Sequence, residues 1–398
     1  MDRPLSGIRI LDLTNFLAGP YATMILGDLG AEVIKVESPQ GDPTRKVGPR
    51  TQSGECAYYL SINRNKKSVV LNLKSNSGKE ALHDLCRLSH VLMESFRPGV
   101  AARLRIDYTT VEPLNPKLIY CSTTGFGQTG PYSDLPAYDM VVQALSGGMS
   151  LTGEVDGLPV RAGLPIGDIG GGVFSAIAVL AALNETNRTG RGQHLDVAMF
   201  DTQISMLTYQ AVSYLISGIV PHRQGREHLF IPTYRTFRTK DNLDIVVTAN
   251  TEDMWRSLCQ VLGLAKLTAD PRFITNDDRL QNKTELGSLL EEAFRNDTAD
   301  NWLQKLKVAG VPAAPIKGVD SALADTQSLG RNMVVRVPDA LGGNLQLLGN
   351  PIKMSRTPCE QFESPPTLGQ HTVEVLRDVL KYSKEQIERI AYEQCTVL

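Results

Sequence analysis

Between residues 8 and 121 the chain repeats one pattern, a short and almost wholly apolar run followed by an amphipathic stretch. Residues 8–13 read as a strand, 20–29 as a helix and 32–36 as the next strand. Residues 68–73 read as a third strand and 79–88 as a helix, and 91–93 and 118–121 complete the set. Strands apolar on both faces and separated by helices belong to parallel sheets covered on both sides. Crossovers between such strands are right-handed. The pattern therefore predicts an α/β chain built on a Rossmann-like, doubly wound parallel sheet.

A chain of 398 residues has room for a second domain. A loop-rich section, 125–172, follows the alternating part, punctuated by Gly and Pro. Residues 173–218 read as two helices broken at Gly190-Arg191-Gly192, the second a long apolar element over 197–216. Strands around Lys240-Asp241-Asn242, then helical patterns to about 309, predict a smaller α/β or α+β domain. The chain turns strand-like again around Gly342-Gly343 and closes with a helix over 373–380. The expected division is a large domain of 1–200 and 335–398, linkers at 201–224 and 326–334, and a small domain of 225–325.

Composition and motifs exclude several functions. A net charge of −2 gives no reason to expect nucleic acid or a membrane surface as partner. The six cysteines are scattered without a Cys-x-x-Cys pair, as in reduced intracellular proteins. No targeting segment or long apolar span is expected, so the location expected is the cytoplasm, or the mitochondrial matrix if a transit peptide has been removed. No Gly-x-Gly-x-x-Gly follows the first strand, there is no P-loop, and the six histidines lack ligand spacing. These point away from nicotinamide, flavin and metal. Gly-x-Ser-x-Gly is missing too, which removes a serine hydrolase.

The segment with most chemistry is Gly163-Leu164-Pro165-Ile166-Gly167-Asp168-Ile169-Gly170-Gly171-Gly172, leading into an apolar run. An acid at a helix start faces unpaired N–H groups and the positive end of the dipole. Asp168 is thus expected to be exposed and ionised near neutral pH, either as a plain helix cap or as a nucleophile. Basic residues gather at Asn63-Arg64-Asn65-Lys66-Lys67, and at Lys74, Arg97 and Arg103, where spacing alone favours a solvated basic surface over a site for a phosphate-rich ligand.

Several further strings occur in order along the chain. They are Gly7-Ile8-Arg9-Ile10-Leu11-Asp12-Leu13-Thr14 with Leu17-Ala18-Gly19-Pro20, Glu32-Val33-Ile34-Lys35-Val36-Glu37, Gly125-Phe126-Gly127-Gln128-Thr129-Gly130-Pro131, Tyr138-Asp139, Thr189-Gly190-Arg191-Gly192-Gln193 and Pro365-Pro366-Thr367-Leu368-Gly369-Gln370-His371. Together they resemble the class III CoA-transferases, the family of formyl-CoA transferase and carnitine CoA-transferase. The resemblance implies CoA as substrate and product, an acyl-CoA and a small carboxylic acid as partners, and an interlocked, ring-like homodimer. It implies Asp168 as the catalytic residue, passing through an aspartyl anhydride and an enzyme–CoA thioester, with the flanking glycine N–H groups stabilising oxyanions.

It further implies CoA contacts from Leu17 and Ala18, from Leu71, Asn72, Leu73 and Lys74, from Ser95, Phe96, Arg97 and Arg103, and from Ala137, Tyr138 and Asp139. Arg45, Arg226 and His228 are candidate contacts for the acceptor acid. Formyl-specific members carry Gln where this chain has Leu17, together with a tetraglycine loop not found here, which favours a dicarboxylate or another short to medium acid. The alternatives are an α-methylacyl-CoA racemase, which uses a histidine where this chain has Tyr138, and a CoA-binding protein without activity.

Overall fold

The computed structural model describes residues 3–339 and 343–395; of the turn expected at Gly342-Gly343, Gly342 lies outside the described residues. The chain forms two compact units, one of residues 1–148, 161–219 and 326–398, the other of 149–160 and 220–325.

The first unit is built on β1 (Arg9–Leu13), β2 (Glu32–Glu37), β3 (Lys66–Val70), β4 (Val91–Glu94), β5 (Ile119–Thr124) and β6 (His194–Ala198). They form one parallel sheet in the order β3-β2-β1-β4-β5-β6. Helix α1 (Ala18–Asp28) follows β1, and α2 (Asn76–Arg87) follows β3. Ser75 starts α2 by accepting from the Gly78 amide at 3.1 Å. Helix α3 (Asp139–Leu145), α4 (Ile166–Thr189), α5 (Met199–Met206) and α6 (Tyr209–Ser217) come next. Alternating side chains cover both faces of the sheet. Leu11, Ile34, Val69 and Leu92 pack toward α2, while Ile10, Val33, Val91 and Met93 pack with residues of α1 and α4.

Glycine sets how closely α4 approaches. A Cβ at Gly172 would stand 2.6 Å from the Ala18 carbonyl oxygen of α1, and one at Gly171 would stand 3.0 Å from Met199 of α5. Contrary to expectation, α4 is itself long and apolar enough to cross a membrane, with mean hydropathy 1.9 in its most apolar window. Half of that window is buried inside the protein, so a single apolar core helix accounts for it.

The long apolar element expected over 197–216 is instead β6, α5 and α6. His194-Leu195-Asp196-Val197-Ala198 alternates polar and apolar residues, the mark of an edge strand half open to water. Residues 201–219 are therefore not a linker. Thr202 and Gln203 are buried, and α5 closes over α4. Residues 326–334 likewise group with the first unit.

The second unit carries β7 (Tyr234–Arg238), β8 (Asp244–Thr248) and β9 (Ala313–Pro315) as an antiparallel sheet in that order. Helices α7 (Glu252–Val261), α8 (Lys283–Phe294) and α9 (Ala299–Val308) cover it, an α+β arrangement. Its core is aromatic: Phe237 stacks on Phe294 at 4.3 Å, and the Trp302 indole donates to the Phe294 carbonyl at 2.8 Å. Residues 149–160 belong here because Gly225 donates to the Gly153 carbonyl at 3.1 Å and Arg223 to those of Glu154 and Gly157.

Candidate active site

The order of the sheet reverses between β1 and β4, the position at which open α/β sheets bind ligands. The loop leaving β1 is held from below by buried charges. The Asp12 carboxylate accepts from the Thr14 amide at 2.9 Å and the Thr23 hydroxyl at 2.7 Å, and pairs with Lys66 at 2.9 Å. Lys35 pairs with Asp42 at 2.9 Å and donates to the Thr14 carbonyl at 2.8 Å. Burial alone would raise the Asp12 carboxyl, but Lys66 and Lys35 hold it well below the usual carboxylate range. Above this support Phe16 has a φ of 63°, a left-handed backbone that a bulky aromatic rarely adopts. Its ring meets that of Tyr138 edge-on at 5.5 Å. The strained turn presents the first residues of α1. There the amides of Ala18 and Gly19 have no acceptor within the helix, and Pro20 has no N–H.

Asp168 faces this loop from the first turn of α4, two residues behind the helix start. It lines a cleft of about 220 Å³ with Asn15, Phe16, Leu17, Ala18, Tyr58 and Met199 among others. Asp168 is only half-buried, yet burial, with the neighbouring Asp139 adding to it, pushes its carboxyl up to about 7. The expectation of an exposed, fully ionised carboxylate is thereby corrected. The helix end does not serve Asp168 because Asp139 already occupies it, its Oδ1 accepting from the amides of Gly167 at 2.8 Å and Asp168 at 3.3 Å. Gln143 holds the other oxygen of Asp139 at 2.6 Å. The flanking glycines are not oxyanion donors either. Gly170, Gly171 and Gly172 lie inside α4, where their N–H groups belong to the helix, and their missing side chains let α1 and α5 approach. Ala18 and Gly19, whose amides have no acceptor within α1, line the cleft. Tyr58, raised to about 12 by burial and by Asp168, adds a hydroxyl that stays protonated.

Leu17, Ala18, Ser95, Phe96, Arg97, Ala137, Tyr138 and Asp168 come together in this one cleft. Leu71, Asn72, Leu73 and Lys74 line a second cleft of about 430 Å³ at the carboxyl ends of β1, β2 and β3. Asn15 and Phe96 belong to both walls, so the clefts adjoin. Arg103 and Asp139 line neither. Arg103 is an exposed cation, and Asp139 is the cap of α4. Lys74, Arg97 and Arg103 are exposed and form no ion pair among the described residues.

The Asn63-to-Lys67 run is neither an anion site nor a solvated surface. Arg64 pairs with Asp28 at 2.6 Å, Lys66 with Asp12, and Lys67 with Glu32 and Glu374. Arg45 is not an acceptor contact, being buried against Glu37 at 2.8 Å with its guanidinium 3.6 Å over the Tyr59 ring. Arg226 pairs with Asp244 and Glu291 in the second unit, and His228 stacks on Tyr234 at 5.3 Å. Sequence reasoning missed Asn15, Phe16, Tyr58, Met199 and the 123–126 segment. Only their places beside recognised motifs hinted at them. No group of three or more His, Cys, Asp or Glu stands ready for a metal among the described residues.

The sequence profile of CoA-transferase family III matches residues 5–372. The chain belongs to the family III CoA-transferases. Succinate–glutarate CoA-transferase of Agrobacterium fabrum (strain C58) is 40% identical over 98% of this chain and 97% of its own length. Mouse succinyl-CoA:glutarate CoA-transferase is 38% identical over 98% of this chain and 89% of its own. A crystal structure of a CaiB/BaiF family protein from Brucella suis superposes with a TM-score of 0.84 at 37% identity, covering 95% of this chain and all of that one. This family III enzyme is accordingly a CoA-transferase, moving CoA between an acyl-CoA and a carboxylic acid.

Proposed function

We propose that the enzyme carries CoA from a short dicarboxylyl-CoA such as succinyl-CoA to a second dicarboxylic acid such as glutarate, through covalent states of Asp168. One observation carries this reading. Among the described residues the only carboxyl lining the cleft is that of Asp168, raised to about 7 and sharing the cleft with Ala18 and Gly19 of the first turn of α1. Such a carboxyl is ionised in an appreciable fraction of molecules near neutral pH, and its basicity makes it a better nucleophile than an ordinary aspartate.

An Asp168 oxygen attacks the thioester carbon, the C–S bond breaks, and CoA thiolate leaves an aspartyl–acyl anhydride. The thiolate then attacks the aspartyl carbonyl. The C–O bond breaks, the donor acid departs as carboxylate, and CoA remains as a thioester on Asp168. The acceptor carboxylate attacks that thioester and releases the thiolate, which takes the acceptor acyl group from the second anhydride and frees Asp168. Each step exchanges one activated acyl bond for another, so charge and protons balance without a further reactant. The Ala18 and Gly19 amides are the donors for the oxyanions. The adjoining cleft, with Lys74 at its rim, suits the nucleotide end of CoA, and the exposed Arg97 and Arg103 suit its phosphates.

Self-association is part of the same reading. Helix α6 buries none of its residues, and Leu215, Ile216 and Ile219 at its end are 77%, 82% and 74% exposed. Apolar surface of this extent suits a second copy of the chain. Incubation with succinyl-CoA and a panel of free acids, followed by mass spectrometry of the thioesters, tests the activity. New dicarboxylyl-CoA is expected, and transfer to none of the acids would refute the reading. Sedimentation at working concentration is expected to give a dimer, and an active monomer would refute that part.

A further inference from the structure

Strand β4 ends in an acid that the reaction above does not use. Val91, Leu92 and Met93 are fully buried, and Glu94 after them is 2% exposed. A carboxyl at that depth normally pairs with a cation, as Asp12 and Glu37 do in this sheet. Glu94 does not. Its register neighbours are Leu13 on β1 and Ser122 on β5. The titratable groups that interact with it are Asp196 on β6 and Tyr120 and Cys121 on β5, with His194 reached through Ser122, and none of them supplies a fixed positive charge. Tyr108 stacks on His194 at 5.6 Å and meets Tyr120 edge-on at 6.1 Å. Burial, with Asp196 adding to it, moves the Glu94 carboxyl up to about 7.

Its bonds say what it holds. Glu94 Oε2 accepts from the Phe96 amide at 2.7 Å, closing a tight turn immediately after the strand. Within that turn the Ser95 hydroxyl accepts from the Asn15 amide at 3.0 Å, which stitches the β4 loop to the β1 loop across the switch point. Ser95, Phe96 and Arg97 are wall residues of the Asp168 cleft, and Phe96 and Asn15 are shared with the adjoining one. On its other side Glu94 is the register partner of Ser122, whose hydroxyl favours the ionised carboxyl and lies 3.0 Å from Nε2 of the exposed His194. Carboxyl, hydroxyl and imidazole thus lie in a row from the buried acid to solvent. Each member can both give and take a proton.

We propose that Glu94 is a positioning residue for CoA: its carboxylate fixes the Ser95–Phe96–Arg97 wall by holding the Phe96 amide, and its proton, exchanged through Ser122 and His194, loosens that wall. This rests on the reading that CoA occupies the two clefts. An uncharged acceptor would close the same turn at no cost in burying charge, so a carboxyl without a cation is not explained by stability. It is explained by a bond to Phe96 that strengthens when the acid ionises, since an ionised acceptor bonds about twice as strongly as a neutral one.

The test measures the dissociation constant of CoA from pH 6 to 8.5 in an Asp168→Asn background, which removes the other group titrating near 7. The same protein is compared with one also carrying Glu94→Gln. The difference between the two is read, because the terminal phosphate of CoA titrates in the same range. With Glu94 present, binding is expected to tighten by about three- to tenfold as pH rises through 7, the gain of one charge-assisted hydrogen bond. With Gln the constant is expected to stay near the low-pH value. Parallel profiles for the two proteins would overturn the proposal. If Glu94→Gln does not fold, the Asp168→Asn protein decides with dephospho-CoA, which lacks the titrating phosphate: a flat profile contradicts the inference and tightening on the alkaline side supports it. Absence of CoA binding in both proteins would remove the functional reading itself.

Discussion

The sheet treats its buried acids in two ways. On the β1–β2–β3 side every deep charge has a partner: Asp12 with Lys66, Asp42 with Lys35, Glu37 with Arg45, and Asp28 with Arg64. Lys35 and Arg45 are held above their ordinary values, and Glu37 and Asp42 below theirs. Burial pulls Lys66 the other way, down to about 8, and the paired network is the floor beneath the β1 loop. Around the cleft the opposite holds. Asp168 has another carboxylate as its neighbour, Glu94 has Asp196, and both are lifted to about 7. Paired charges are a way to build, whereas the two carboxyls without a cation sit at the cleft, where the proposed chemistry and the proposed hold on Phe96 would use them. The β1 loop joins the two regions, since Lys35 holds its Thr14 carbonyl from below and its Ala18 end opens onto Asp168.

This contrast can be broken at either end. The largest effect is expected from Asp168→Ala, which removes the proposed nucleophile and little contact area. Turnover should fall by more than about a thousandfold while CoA binding stays within about tenfold, read by steady-state kinetics and calorimetry. Next in size, Lys66→Met leaves Asp12 buried beside Lys35 alone. Loss of one partner from a buried pair costs about 3–5 kcal/mol, visible as a lower denaturation midpoint, and the loop above should lose activity with it.

A subtler change is Asp139→Asn, which retains a capping side chain for α4 but removes the negative neighbour of Asp168. The acid limb of kcat/KM, placed near pH 7 in the parent enzyme, should move to lower pH. An unmoved limb would mean that burial alone sets the Asp168 carboxyl. The smallest expected effect is on stability. The carboxyl of Asp168 is raised in the folded chain, so the folded state binds the extra proton. That advantage is fully present below the unfolded value near 4 and is lost as pH climbs to about 7. Asp168→Asn should therefore raise Tm more at pH 8 than at pH 5, as thermal scans at both values will show.

Much of the fold was legible, for a clear reason. Five strands of the sheet are nearly continuous apolar runs, and helices between such runs leave one architecture open. β6 was missed because an edge strand alternates polar and apolar residues, and an apolar helix follows it without a break. The position of Asp168 was legible from its glycine frame, but its charge state was not. That state depends on Asp139, 29 residues earlier, and on a burial created by α1 and α5 closing over glycines. The basic run before β3 misled for a similar reason, because the partners of Arg64 and Lys66 are Asp28 and Asp12, which the chain brings back only by folding. The left-handed Phe16 carried no signal at all, since nothing in an aromatic residue announces a positive φ.

The account stands on Asp168 becoming the carrier of CoA. The most direct measurement is peptide mapping by mass spectrometry after the working enzyme is given succinyl-CoA and quenched with borohydride, which reduces an aspartyl thioester to an alcohol. The account predicts a single modified peptide with the reduced side chain at Asp168. Modification at another residue, or an unmodified enzyme that still transfers CoA, would contradict it.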